Sequence, residues 1–349
     1  MMQAGPQFNV MGGTHQMLTD PLDSETPYAG LSPDLVLNAI EAQGYVCSGH
    51  LLALNSYENR VYRIGIEQSR PLVAKFYRPA RWSDAAILEE HAFTAELVEQ
   101  EIPIVPPMAD ANGRTLHEFS GYRFALFPSQ GGRWPDLDRR ENLTWLGRFM
   151  GRIHALGAAK PFTQRPSLTP TTFGVDSYQY LLDNNFVPTH LVSEYREVVE
   201  DLLREIDAAY VRAAPAQLIR VHGDCHPGNI LWTEDGPHFV DMDDCRMAPA
   251  VQDIWMLLSG SREEMSRMLS AFLDGYYDFH EFDPRELHLV ESLRTLRMIH
   301  YAAWLARRWK DPAFPLNFPW FGAPSYWDEH LNTLRQQRLV IGDPPLESR

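Results

Sequence analysis

The stretch His222-Gly223-Asp224-Cys225-His226-Pro227-Gly228-Asn229 holds a carboxylate, two imidazoles and an amide, and runs straight into the apolar Ile230-Leu231-Trp232. A loop this polar between two strands exposes its side chains at a cleft. An ionised Asp in such a place can take a proton from a hydroxyl. Amide and carboxylate oxygens suit a hard cation such as Mg²⁺. A further carboxylate, Asp241, closes the apolar run His238-Phe239-Val240 twelve positions after Asn229. It stands where a second metal-binding oxygen is needed if the cation is to bridge phosphate oxygens to one or two protein groups. A hairpin whose Asp, Asn and Gly residues only make turns would explain any one of these positions, but not the ordered set.

The separation of Asp224 and Asn229 resembles that in the catalytic loop of protein kinases, where the Asp accepts the substrate hydroxyl proton and the Asn binds Mg²⁺. That resemblance implies ATP as phosphoryl donor and Mg²⁺ as its companion, with a lysine at the α- and β-phosphates. Lys75 fits, as an ammonium within the apolar run Leu72-Val73-Ala74-Lys75-Phe76-Tyr77. On the next helix Glu90 shares a stripe with Ile87, Thr94 and Leu97, so it interrupts a face that should turn inward. A buried carboxylate needs a partner, and Lys75 is the expected one, with Glu89 as the alternative to Glu90. The turn Asn55-Ser56-Tyr57-Glu58-Asn59-Arg60 contains no glycine, so the Ser56 hydroxyl and backbone N–H groups are the candidate phosphate donors. Phe127 offers an apolar surface for adenine.

These residues need a frame. Residues 1–26 lack apolar periodicity and read as a mobile leader. A helix capped by Ser32 and opened by Pro33 is expected to about Gln43. Strands are expected over 50–56, 60–66 and 72–77, then a helix from Ser83 to about Gln100, then strands over 114–119 and 122–127. Together they make a five-stranded antiparallel sheet carrying one helix, a nucleotide-binding lobe over 27–128. Residues 128–133, Pro-Ser-Gln-Gly-Gly-Arg, read as a hinge. From there helical periodicity marks 142–157, 192–213, 251–258, 262–280 and 286–309, around a β-like stretch at 218–243. The fold class is therefore α+β and two-lobed, protein-kinase-like, with 129–349 as a helical catalytic and substrate lobe.

The strings HGDCHPGNILW and FVDMDD are similar to those of the aminoglycoside phosphotransferase and choline kinase branch of the kinase superfamily, which uses His-Gly-Asp in place of His-Arg-Asp. Further strings, SYENRVYRIG (56–65), ILEEHAF (87–93), FPSQGGR (127–133), PAVQDIWMLL (249–258) and ARRWKDPAFPLNFPWF (306–321), resemble the bacterial stress response kinase A family, also called YihE or RdoA. The resemblance covers about residues 27–345. It implies an ATP-dependent, monomeric, cytoplasmic enzyme phosphorylating Ser or Thr of proteins under envelope and oxidative stress. It makes Asp224 the catalytic base, and Asn229 and Asp241 the Mg²⁺ ligands. A small-molecule alcohol acceptor (choline, an amino alcohol, a sugar or an aminoglycoside) stays open, because both branches share the loop.

Gly223 stands where protein kinases carry the Arg that pairs with an activation-loop phosphate, so control by such a phosphate is not expected. Asp243 and Asp244 would either touch metal or cap the following turn. Asp253 is expected to accept bonds from the loop backbone and His222 to brace it. Cys225 reads as structural, with a redox sensor as the alternative. The cluster Arg307, Arg308 and Lys310 with its surrounding aromatics would pack the C-terminal helices or shape a substrate cleft.

With 349 residues the chain can bury a large core. Its formal net charge of −15 argues against a nucleic-acid partner. Three scattered cysteines make no disulfide framework or zinc spacing. No run of about 18 apolar residues and no signal-peptide pattern occur, so no membrane span and a cytoplasmic location are expected.

Overall fold

The computed structural model describes residues 26–347; residues 1–25, which hold nearly all of the expected leader, lie outside them. Helix α1 (Pro33–Glu41) starts where expected, with the Ser32 side chain accepting from the Leu35 N–H. Strands β1 (Cys47–Ala53), β2 (Arg60–Ile66) and β3 (Leu72–Phe76) follow, then α2 (Asp84–Glu99), capped by Ser83, then β4 (His117–Phe119) and β5 (Tyr122–Pro128). They form an antiparallel sheet in the order β1-β2-β3-β5-β4. Central β3 pairs Lys75 with Val61 on one side and Ala125 on the other. That register fixes the ammonium between two strands rather than at an edge.

Beyond the hinge come α3 (Arg140–Ala159), α4 (Asp176–Asp183) and α5 (Val192–Ala213). The strands β6 (Ile219–Val221), β7 (Ile230–Thr233), β8 (Gly236–Phe239) and β9 (Arg246–Ala248) form two small ladders, β6 with β9 and β7 with β8. Helices α6 (Val251–Trp255), α7 (Arg262–Tyr276), α8 (Val290–Arg307), α9 (Ala313–Asn317) and α10 (Pro324–Val340) complete the chain. Helices α3 and α7 cross so closely that a Cβ on Gly147 would lie 1.9 Å from the Phe272 carbonyl oxygen, and one on Gly275 2.0 Å from that of Thr144. One apolar core runs through the helical lobe and a smaller one lies beneath α1 and the sheet. No helix among the described residues is long and apolar enough to cross a membrane.

Several boundaries move for local reasons. The strand expected over 114–119 begins only at His117, because the Asp110 carboxylate accepts from the Asn112 and Arg114 N–H groups and folds that segment into a turn. The helix expected over 286–309 divides into a 3₁₀ stretch, Pro284–Leu289, and α8, because Pro284 opens a turn capped by Asp283. Helix α10 went unread. Its inner face includes His330 and Gln337 among Tyr326, Trp327, Leu331 and Leu334, which blurs the apolar period.

Glu89 joins the lobes. Its carboxylate accepts from the N–H groups of Thr163 (2.6 Å), Gln164 (2.8 Å) and Arg165 (2.9 Å) and from the Thr163 hydroxyl (2.9 Å). Partial burial works against the charge, but these donors together hold Glu89 below the ordinary glutamate value of 4.5. A depressed carboxylate contributes stability above its unfolded value and loses it as pH falls through its folded value. Glu89→Ala should therefore cost about 1–2 kcal/mol at neutral pH, with the carboxylate's partial hydration keeping the figure low. In urea unfolding the difference from wild type should shrink as pH drops below 4.5; a pH-independent difference would rule out the carboxylate's role.

Candidate active site

The loop after β6 is held from below by one buried carboxylate. Asp253, on α6, accepts from the His222 N–H (2.7 Å) and the Gly223 N–H (2.8 Å), and its Oδ2 lies 3.2 Å from His154 Nε2. Gln252 donates to the Gly223 carbonyl at 2.9 Å, so both backbone groups of Gly223 are tied to α6. His222 sits 3.0 Å from the Val240 carbonyl through Nε2, bracing the loop against the end of β8. His226 Nδ1 accepts from the Gly228 N–H and closes the turn Pro227–Asn229. Asn229 then donates through Nδ2 to the Asp224 carbonyl at 3.0 Å, which uses its amide nitrogen and not its Oδ1.

This loop divides two cavities. The first, 310 Å³, is lined by Ser56, Lys75, Glu90, Phe127, Asn229 and Asp241 among others, which gathers six of the seven positions named from sequence. The seventh, Asp224, is buried at 3% exposure, lines neither cavity and borders the second through its neighbours. There Arg297, from α8, lies 2.9 Å from its Oδ1, and His226 Nε2 lies 3.7 Å from its Oδ2. His226 and Arg297 both line the second cavity, of 390 Å³.

Asp241 has left-handed backbone, φ 62° and ψ 64°, which turns the chain sharply at the end of β8. For an Asp this conformation is tolerated and informative. Its side chain is 55% exposed, and Lys75 Nζ meets its Oδ1 at 2.8 Å. The expected Lys75–Glu90 pair is corrected here. Lys75 bonds Asp241 and lies 3.2 Å from Asp243, while Glu90 takes Arg165 Nη2 at 2.7 Å. The reason is reach and charge: Arg165 also donates to the carbonyls of Ala86, Asp243 and Cys245, so it is fixed over the inner face of α2. Burial opposes the charge on Lys75, but Asp241 and Asp243 keep its ammonium well above the ordinary lysine value. The alternative partner Glu89 is committed to the loop at 163–165.

The turn before β2 also differs from expectation. The Ser56 hydroxyl donates to the Asn59 carbonyl at 3.1 Å, so its one proton is already used. Asn59 donates to Asp243 Oδ2 at 3.0 Å. Glu58 is buried against Arg308 (2.7 Å) and the Trp304 indole N–H (2.6 Å). Burial works against its ionisation, yet Arg308, Arg81 and Arg78 bring Glu58 down to about 2. Asp243 and Asp244 do not face the cavity. Arg81 holds both, and Arg246 lies 3.3 Å from Asp244. Arg308 and Trp304 thus pack between the lobes, and Arg307 lies over the Tyr180 ring. Cys225 is fully buried and burial pushes its thiol well up, which makes it inert.

Residues 50–290 match the phosphotransferase enzyme family. The chain belongs to that family. Within this phosphotransferase family it is 41% identical, over 93% of its length and 98% of theirs, to the serine/threonine protein kinase RdoA of Salmonella typhimurium and to stress response kinase A of Escherichia coli K12. It is thus a member of the stress response kinase A group. Its fold is similar to that of the amicoumacin kinase hAmiN in complex with AMP-PNP, Ca²⁺ and Ami, with TM-score 0.68, 19% identity, and 90% and 94% of the two chains covered. It is also similar to choline kinase from Cryptosporidium parvum, with TM-score 0.59, 14% identity, and 89% and 97% covered.

Arg297, Arg81 and Arg165 were not read from sequence. Arg165 sits in an aperiodic loop that offers no signal. Arg294 and Arg297 lie three apart on the less buried stripe of α8, with Glu291, Met298 and Tyr301, where cations read as solvated.

The loop also explains its own glycine. Gly223 has φ +85°, and a Cβ there would lie 2.2 Å from the Asp244 carbonyl oxygen. Gly223→Ala should cost about 2–4 kcal/mol, combining backbone strain with overpacking. Thermal unfolding measures this, and an unchanged midpoint would contradict the packing described.

Proposed function

We propose that this phosphotransferase is an ATP- and Mg²⁺-dependent kinase that moves the γ-phosphoryl group onto Ser or Thr hydroxyls of proteins in a bacterial stress response. One observation carries the reading: the loop 224–229 places Asn229 on the wall of one cavity, while its buried Asp224 pairs with Arg297, which lines the other. The name of one relative, the serine/threonine protein kinase RdoA, supports the acceptor class. On this reading 27–128 is the nucleotide-binding lobe and 129–349 carries catalysis and the acceptor.

In the first cavity Phe127, Val73, Val105 and Leu231 give adenine apolar walls. Lys75 stands at the α- and β-phosphates. Asn229 Oδ1 and the half-exposed Asp241 carboxylate are two hard oxygen donors on one wall, a set that fits Mg²⁺. Bound there, Mg²⁺ would neutralise charge on the β- and γ-phosphate oxygens. The ion pair to Arg297 would orient the Asp224 carboxylate. As the hydroxyl oxygen bonds to phosphorus and the bond to ADP breaks, Asp224 takes the hydroxyl proton.

Asp224→Ala should lower kcat by about 10²–10⁴ while ATP affinity stays within a few-fold; undiminished turnover would remove Asp224 from the mechanism. Asp241→Ala should instead weaken Mg²⁺-ATP binding in calorimetry, and an unaltered affinity counts against its metal role. Incubation with γ-labelled ATP, a generic protein substrate and a panel of small hydroxyl compounds tests the acceptor class. Label confined to small molecules overturns the protein-kinase reading.

A further inference from the structure

The second cavity has a chemistry of its own. Its walls are apolar and aromatic, from Trp255, Met298, Tyr301 and Tyr326, and its charges are the two guanidiniums of Arg294 and Arg297. Its lining includes no Asp or Glu among the described residues. Both arginines keep donors in reserve. Arg297 reaches Asp224 through Nη2, while its Nε is buried with no hydrogen-bond partner among the described residues. Arg294 stacks at 5.1 Å on the Trp255 ring and turns its Nε to Glu291. Its Nη2 meets only the Met265 sulfur, at 3.8 Å, a weak acceptor. Glu291 is also engaged by Gln337 at 2.8 Å and does not line the cavity.

The imidazoles add no compensating anion. Burial brings His330 down to about 4, so it is neutral near pH 7. A cationic acceptor entering here would meet two guanidiniums and no lining carboxylate.

We propose that this cavity selects an acceptor carrying an anionic group beside its hydroxyl, bound by Arg294 and Arg297: in a protein, a Ser or Thr flanked by Asp, Glu or a phosphorylated residue. The inference rests on the kinase reading and specifies its acceptor. The distances suit it. Arg297 touches the base, so a group it binds lies within one residue of the reacting hydroxyl, and successive Cα atoms are only about 3.8 Å apart. A guanidinium binds carboxylate or phosphate through paired N–H donors, and the unpartnered Nε of Arg297 is such a donor.

The full-length protein with Mg²⁺ and γ-labelled ATP should be given three peptides that differ only in carrying Glu, Ala or Lys on both sides of one Ser. The Glu peptide should exceed the Ala peptide in kcat/KM by about tenfold, as one partly exposed charge-assisted contact implies, and the Lys peptide should be poorest. Arg294→Glu should invert the order, and Arg294→Gln, which keeps shape without charge, should compress it. Unchanged ATP affinity shows that either variant is folded. Equal kcat/KM for all three peptides, or an order untouched by both variants, overturns the anionic-acceptor inference alone. A parallel arm offers small hydroxy acids and amino alcohols. Label on hydroxy acids but on no peptide overturns the protein acceptor and keeps the charge rule. Label on amino alcohols overturns the charge rule. No label anywhere, with ATP bound, overturns the kinase reading itself.

Discussion

The carboxylate of Asp243 is 3% exposed and is reached by three donors from the opposite lobe: Lys75 at 3.2 Å, Asn59 at 3.0 Å, and Arg81. Charges taken out of water are expensive, and removing one member of a buried set costs about 3–5 kcal/mol because the others remain. The set therefore behaves as one unit. It ties β3, the turn before β2 and the segment after β3 to the three residues that follow Asp241. The same ammonium that binds Asp243 also meets Asp241, so the position of the cavity's carboxylate and the seating of the sheet on the helical lobe are set by one contact. Glu58 extends the lattice to α8 through Arg308 and Trp304, and Arg165 extends it to α2 through Glu90.

The opposite face of the loop is organised by a second buried carboxylate, Asp253, which spends its oxygens on backbone N–H groups and a histidine. The division has a physical logic. Backbone bonds to Asp253 fix where the chain runs. Charge is supplied separately, by Arg297 from α8.

How much of this was legible in the sequence depended on the distance over which each feature is encoded. Asp224, Asn229, Asp241, Asp253 and Gly223 lie within about thirty residues of one another, and their types and spacing record a local geometry. The sheet, α2 and α5 were likewise visible in apolar periodicity and caps. Ion pairs between distant segments were not. Glu90 was correctly read as buried and in need of a cation, but nothing local distinguishes Lys75 from Arg165, which lies seventy-five positions away in an aperiodic loop. The same limit applied to Glu89, whose inter-lobe role depends on backbone N–H groups that no side-chain pattern reports. Asp243 and Asp244 sat beside a metal-ligand candidate, and proximity in sequence suggested proximity in function; burial and Arg81 direct them elsewhere.

The acceptor side shows why such a site hides. Helix α8 buries most of its residues, so its strongest signal is core packing. Arg294 and Arg297 look like solvated interruptions until Trp255 and His226 from other segments close over them. Arg297 both pairs with Asp224 and lines the second cavity, so on the proposed reading one guanidinium would serve the loop carboxylate and the incoming group. On that reading an anion drawn to Arg297 would compete with Asp224 for its donors. A lysine would place its charge at a single point and could not divide it between base and acceptor in fixed directions. The planar fork of an arginine suits that double duty, which makes residue type at this position as much a constraint as charge.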